Sequence, residues 1–253
     1  MATRRAARTR RWAVAALALA GCSPSGGGGG RVTVTVVAAS SLTEPFSEIG
    51  RRFEGAKPGT GVAFAFAASP AVAQQVRAGA PADVVATADR AVVDALARDG
   101  LAAPARTFAR NRLSIAVARG NPLSVRGVDD LARPDLDLVV CSPEVPCGRL
   151  AARALAAAAV RARPRSYEPD VKAVLARVAL GEADAGLVYL TDVAAAAGRV
   201  EGIALSGGRD LVAEYAVATV AAGGHAGEAR AFVDFVVSPA GREVLEAAGF
   251  EVP

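Results

Sequence analysis

A β-branched run at residues 32–37, Val32-Thr33-Val34-Thr35-Val36-Val37, predicts a buried strand. After it the apolar positions alternate between helical and extended spacing. Residues 42–52 predict a helix, 62–66 a strand, 71–78 a helix, 83–86 a short strand and 90–98 a helix. Residues 113–118 and 136–140 read as strands, 150–161 and 171–180 as helices, and 186–189 as a strand. A strand-like stretch at 214–221 and helices at 228–237 and 241–248 complete the pattern. This βαβα order argues for parallel sheets with helices on both faces. No repeat recurs at a fixed period, which speaks against a solenoid.

Composition supports that architecture. The chain has 253 residues, 52% of them hydrophobic and only 5% aromatic, and alanine is the largest part of the apolar share. Alanine supplies helix propensity without bulk, and the length is ample for a core. Disorder, collagen-like sequence and small disulfide scaffolds are excluded. The net charge of +4 looks like a nucleic-acid signal until it is located. Arg4, Arg5, Arg8, Arg10 and Arg11 fall in the first 21 residues, which hold no acid. The remainder carries 24 basic and 25 acidic residues, so no nucleic-acid partner is expected.

The same arginines precede an apolar run of nine residues at 12–20, too short to span a bilayer permanently and suited to a secretory signal. The run ends in Leu19-Ala20-Gly21-Cys22, which resembles the lipobox of bacterial lipoproteins. That resemblance implies a leader at 1–21, cut before Cys22, and a lipid on the Cys22 thiol. Thr9-Arg10-Arg11 leaves both general and twin-arginine export open. Residues 22–31, with five consecutive glycines, read as a tether. The expected location is extracytoplasmic, on the membrane through the lipid alone.

Two further cysteines, Cys141 and Cys147, have five residues between them. In an oxidising compartment they are read as a disulfide closing a short loop; free thiols and a metal or catalytic role are the alternatives. Catalytic candidates are few. His225 is the only histidine, and there is no GxSxG elbow, no Walker A loop and no GxGxxG after a strand. The chain is therefore read as a binding protein and not an enzyme, with no cofactor. Four helix starts are well signalled, three of them after predicted strands. Ser41-Leu42-Thr43-Glu44 has capping-box spacing, Ser69-Pro70 reads as an N-cap serine, and Pro146-Cys147-Gly148 and Pro169-Asp170-Val171 open two more helices. In an open α/β sheet such N-termini gather at the carboxyl ends of the strands and suit a small anion. Asp83, Asp89 and Asp184 are read as braces for turns, and His225 as a surface-loop residue.

Several segments together carry a family resemblance. They are Val36-Val37-Ala38-Ala39-Ser40-Ser41-Leu42-Thr43, Phe66-Ala67-Ala68-Ser69, Gly79-Ala80-Pro81-Ala82-Asp83, Asn111-Arg112-Leu113-Ser114, Pro143-Glu144-Val145-Pro146-Cys147-Gly148, Asp170-Val171-Lys172, Gly186-Leu187-Val188-Tyr189 and Gly249-Phe250-Glu251. In this order they resemble the periplasmic molybdate-binding proteins of molybdate ABC importers. The resemblance implies an α/β, two-lobed periplasmic-binding-protein fold of type II, with the ligand cleft between lobes. Lobe 1 would comprise 32–110 plus 212–253 and lobe 2 residues 111–211, with crossovers at 110–113 and 210–214. It implies an oxyanion held by neutral donors from Ser41 (or Ser40), Ser69, Cys147, Val171 and Tyr189, the cysteine and valine giving backbone amides. Molybdenum would enter only as bound molybdate, with tungstate bound comparably and no direct metal ligand. An ABC permease is the implied partner, and the protein is expected as a monomer. Two departures are visible: Ala67-Ala68-Ser69-Pro70 stands where relatives carry a run of serines, and Cys147 where alanine is expected. The competing readings are a same-fold protein for sulfate, phosphate or an organic anion, and a thiol enzyme using Cys147.

Overall fold

The computed structural model describes residues 31–205 and 211–253. The leader at 1–21, Cys22, residues 23–30 of the tether and Asp210 of the second expected crossover lie outside the described residues. Strand β1 (Val32–Ala39) lies between β2 (Thr60–Ala67) and β3 (Val84–Thr87) and is parallel to both. Helices α1 (Thr43–Ala56), α2 (Ser69–Arg77) and α3 (Arg90–Arg98) follow these strands in turn. Successive strand residues point to opposite faces, so Val34, Val36 and Ala38 of β1 enter a large core and Val37 a smaller one. β3 divides in the same way, with Val84 and Ala86 on one side and Val85 on the other. Strands apolar on both faces are those that helices cover on both sides. The larger core gathers Phe46, Phe53, Phe64, Phe108 and Phe232, the rings of Phe53 and Phe232 meeting edge-on at 5.3 Å.

Strand β4 (Arg106–Ala118) serves two sets of partners. Its residues 106–112 pair antiparallel with β9 (Val212–Thr219), which itself runs antiparallel to β3. From Leu113 onward β4 pairs antiparallel with β7 (Ala185–Tyr189), and from Ser114 also with β8 (Val200–Ala204). Beyond β7 come β5 (Leu138–Cys141) and β6 (Ser166–Glu168), both parallel. The strand order is β2-β1-β3-β9-β4-β7-β5-β6, with β8 beside β4. Parallel pairing thus holds within β1–β3 and within β5–β7. Antiparallel pairing involves β4, β8 and β9, of which β4 and β9 carry the chain from one half of the sheet to the other and back.

Helix α4 (Pro146–Ala157) follows β5, α5 (Val171–Ala179) follows β6, and the short α6 (Leu190–Ala195) follows β7. Helices α7 (Ala226–Val236) and α8 (Pro239–Ala247) close the chain. Helix α5 lies so near β7 that a Cβ on Gly186 would stand 2.6 Å from a Val174 methyl. Residues 110–113, expected as a crossover, lie within strand β4, and α4 begins at Pro146 rather than at residue 150.

Candidate functional site

Every turn at the carboxyl end of β1, β2, β3, β5, β6 and β7 contributes to one cavity of about 20 Å³. That is below the roughly 300–1,000 Å³ of pockets that take drug-sized ligands. Its lining includes Ser40, Ser41, Ser69, Cys147, Val171 and Tyr189 among alanines, with no lysine, arginine or histidine. The five residues singled out in the sequence therefore surround one space, and Ser40, the alternative to Ser41, borders it too.

Neither serine caps a helix. Ser41 lies inside a 3₁₀ turn, Ser40–Leu42, and α1 starts after it with Leu42 at the N-cap position and no side-chain cap. The Ser41 hydroxyl instead lies 2.9 Å from the Tyr215 hydroxyl on β9. Ser69 is the first residue of α2, with Ala68 at the N-cap position, and its Oγ accepts the Ala88 N–H at 3.2 Å. The capping reading fails because both hydroxyls are engaged by distant backbone or side-chain partners. Burial pushes the Tyr215 phenol far above its usual value, so it stays protonated and can donate. A serine oxygen that accepts from within the protein keeps its own O–H for the cavity.

Two helix N-termini add backbone donors. Pro146 and Cys147 open α4 after Val145, and the first-turn amides of a helix have no intrahelical acceptor. Cys141 and Cys147 form a disulfide that closes the β5–α4 loop, with Cα atoms 5.9 Å apart. A Cβ on Gly148 would stand 1.9 Å from the Ser142 carbonyl oxygen, so the loop folds directly onto the first turn of α4. At α5, Asp170 is the N-cap and its Oδ1 accepts the amides of Lys172 and Ala173 at 2.8 and 3.0 Å. This carboxylate, the one in the lining, is turned onto its own helix. The Val171 amide is the first-turn donor it leaves unused.

Tyr189, at the end of β7, is 1% exposed, and its hydroxyl has no hydrogen-bond partner among the described residues. Burial, reinforced by Tyr215 and Asp192, raises its phenol well above the ordinary value and keeps it neutral. A buried hydroxyl without a partner costs about 1–3 kcal/mol. Behind it, Asp192 is 1% exposed, accepts the Tyr189 N–H at 3.2 Å and lies 3.1 Å from Lys172 Nζ. Burial pushes its carboxyl up to about 6, against the pull of Lys172 and that amide. Lys172 Nζ also reaches Glu44 Oε2 on α1 at 2.6 Å.

Residues 34–251 match the family of bacterial extracellular solute-binding proteins. The chain belongs to that family. The molybdate-binding protein ModA of Mycobacterium tuberculosis is 42% identical over 217 residues, spanning 85% of this chain and 83% of its own length. Among solved structures, the periplasmic molybdate-binding protein of Azotobacter vinelandii has the same fold, with a TM-score of 0.75 at 20% identity over 87% of this chain and 99% of its own. The sulfate-binding protein SubI of M. tuberculosis matches equally well in fold, with a TM-score of 0.76 at 20% identity over 87% of each chain. Membership puts this solute-binding protein outside the cytoplasm, in a class of transport proteins. Among the described residues no helix is long and apolar enough to cross a membrane, and no cluster of three or more His, Cys, Asp or Glu could hold a metal ion.

A nucleophilic Cys147 requires a thiolate, which the disulfide removes. Asp89 caps α3 through the Ala91 amide, and Asp184 holds the Asp137 amide. Asp83 accepts the amides of Thr35 and His225 at 2.8 and 3.0 Å. Burial works against its charge, but those bonds and the His225 ring outweigh it and keep the carboxyl below its usual range. His225 lies in the surface loop just before α7, as expected, and is tied there to Asp83, the residue that precedes β3. Tyr215 and Asp192 were not singled out in the sequence, and Glu44 and Lys172 appeared there only within quoted motifs, because the Ser41–Tyr215, Glu44–Lys172 and Lys172–Asp192 contacts join residues far apart along the chain.

Proposed function

We propose that this solute-binding protein captures molybdate in the cavity and delivers it to an ABC permease. The observation that carries the reading is a small cavity ringed by neutral hydrogen-bond donors with no cation in its lining. Ser41 and Ser69 would give hydroxyls, Cys147 and Val171 amides, and Tyr189 its unpartnered phenol. Fixed neutral donors select by size and shape, since an anion that misfits leaves buried donors unpaired. They also favour a fully deprotonated oxyanion. Hydrogen phosphate brings a proton that needs an acceptor, and the single carboxylate in the lining is occupied by its own helix amides. The identity with the mycobacterial molybdate-binding protein supports the same cargo. Tungstate, of nearly the same size and charge, should bind comparably.

The sheet supports a two-lobed motion. Residues 32–110 with 212–253 would form one lobe and 111–211 the other, closing about the crossover strands β4 and β9. Cys22, once acylated, would hold a monomeric protein close to its permease and raise its effective concentration there.

A thermal-shift panel on residues 31–253 with molybdate, tungstate, sulfate and phosphate tests the cargo. At a hundred times the dissociation constant a ligand stabilises by about 2.7 kcal/mol, or roughly 5–10 °C for a chain of this size. Shifts with molybdate and tungstate alone are expected. A shift with sulfate but not molybdate would overturn the assignment.

A further inference from the structure

The turns that ring the cavity also carry two ion pairs that join the halves of the sheet. On one side, Glu44 stands at the start of α1, three residues beyond Ser41, and Lys172 stands directly after Val171. Their charged atoms are 2.6 Å apart. On the other side, Asp89 follows Ala88, whose amide holds the Ser69 hydroxyl, and Arg149 lies two residues beyond Cys147. These groups are 2.5 Å apart. Glu44 and Asp89 belong to the β1–β3 half, Lys172 and Arg149 to the β5–β7 half. Among the ion pairs of the described residues, no others bridge the halves away from the crossover strands.

We propose that Glu44–Lys172 and Asp89–Arg149 are latches that hold the cleft closed over its cargo and set the rate of release. The proposal rests on anion capture in this cavity. Each latch is built on the same turn as a ligand donor, so drawing the donors onto one anion brings both pairs into register, and separating the halves must break both. The geometry of Lys172 is set from its own side. Asp192, buried behind it, holds the ammonium from within the β5–β7 half, leaving Glu44 as the partner that opening removes. Arg149 is likewise fixed from its own half, since it also donates to the Glu144 carbonyl. These are positioning residues: none of the four side chains borders the cavity itself.

The test uses Glu44→Gln and Asp89→Asn. Both remove one charge and keep the local structure, since asparagine still caps a helix. Bound molybdenum is followed by elemental analysis after a chase with excess tungstate, at low and at high salt. Partly exposed ion pairs of this kind are worth a factor of roughly 1.5–5 each, so each variant should release faster by that factor and the double variant by about the product. Wild-type release should quicken with salt, and the double variant should lose most of that response. Unchanged release in the variants, or faster release with the salt response intact, overturns the latch. A wild type that retains no molybdenum overturns the cargo instead. The latch is then read from small-angle scattering of the ligand-free proteins, where the double variant must show the larger radius of gyration and equal radii refute it.

Discussion

At the scale of single residues, Tyr189 makes the sharpest statement, because folding leaves its hydroxyl buried and unpartnered. Tyr189→Phe deletes that oxygen and keeps the ring, which packs edge-on against Tyr215 at 6.0 Å. If the hydroxyl exists for the anion, its loss should weaken molybdate binding by roughly 10–100-fold, the worth of a hydrogen bond to a charged group. The ligand-free protein should melt no earlier than wild type, since no bond within the fold is lost. Calorimetric titration beside a melting curve separates the two effects. A variant that binds normally, or one destabilised without ligand, would mean the hydroxyl serves the fold. Ser41 differs in kind: its truncation would also strip Tyr215 of its 2.9 Å partner, mixing affinity with stability.

At the scale of elements, the β5–α4 connection decides where the Cys147 amide points. The Cys141–Cys147 disulfide ties the end of β5 to the first turn of α4, and Gly148 lets the loop lie against that turn. Replacing both cysteines by serine keeps the amide and removes the brace. The short closed loop should cost about 2 kcal/mol in a denaturant titration. Molybdate affinity should fall by up to about tenfold, the order expected for freeing one backbone position. An affinity that stays level while stability drops would confine the disulfide to the fold. The elements also explain what was legible beforehand. β-Branched strands such as β1 and alanine-rich helices such as α4 and α5 announce themselves by period, and so do the turns between them. The turns that carry Ser41, Ser69, Cys147 and Val171 were legible for that reason, whereas their role as donors, and Tyr189 altogether, came from the family resemblance. β6 has three residues and β8 has exposed positions, so neither offers a run long enough to read. The first half of β4, Arg106-Thr107-Phe108-Ala109-Arg110-Asn111-Arg112, looks polar because a crossover strand stays partly exposed. Tyr215, which holds Ser41 from 174 residues away, and Lys172, which meets Glu44 across 128, belong to tertiary pairing that no local pattern encodes.

At the scale of the whole molecule, charge separates capture from release. Beyond residue 21 the chain carries 24 basic and 25 acidic residues, a net charge of −1 that gives a dianion no long-range attraction. The cavity attracts by neutral donors and helix N-termini, whose influence fades within a turn or so. Salt screens interactions between separated charges and hardly touches such short-range contacts. The association rate of molybdate should therefore change by less than about twofold between 50 and 500 mM salt, whereas steering by a cationic mouth would make it fall steeply. Release should carry the salt dependence, because opening breaks the two bridging ion pairs. Measuring both rates on one preparation across that range distinguishes the schemes. A steep fall in association would point to Arg149 and Arg153, which line a polar pocket beside the cavity, as a steering pair in place of a latch. A flat association rate with salt-accelerated release is the signature of a site that takes its anion by fit and keeps it by closure.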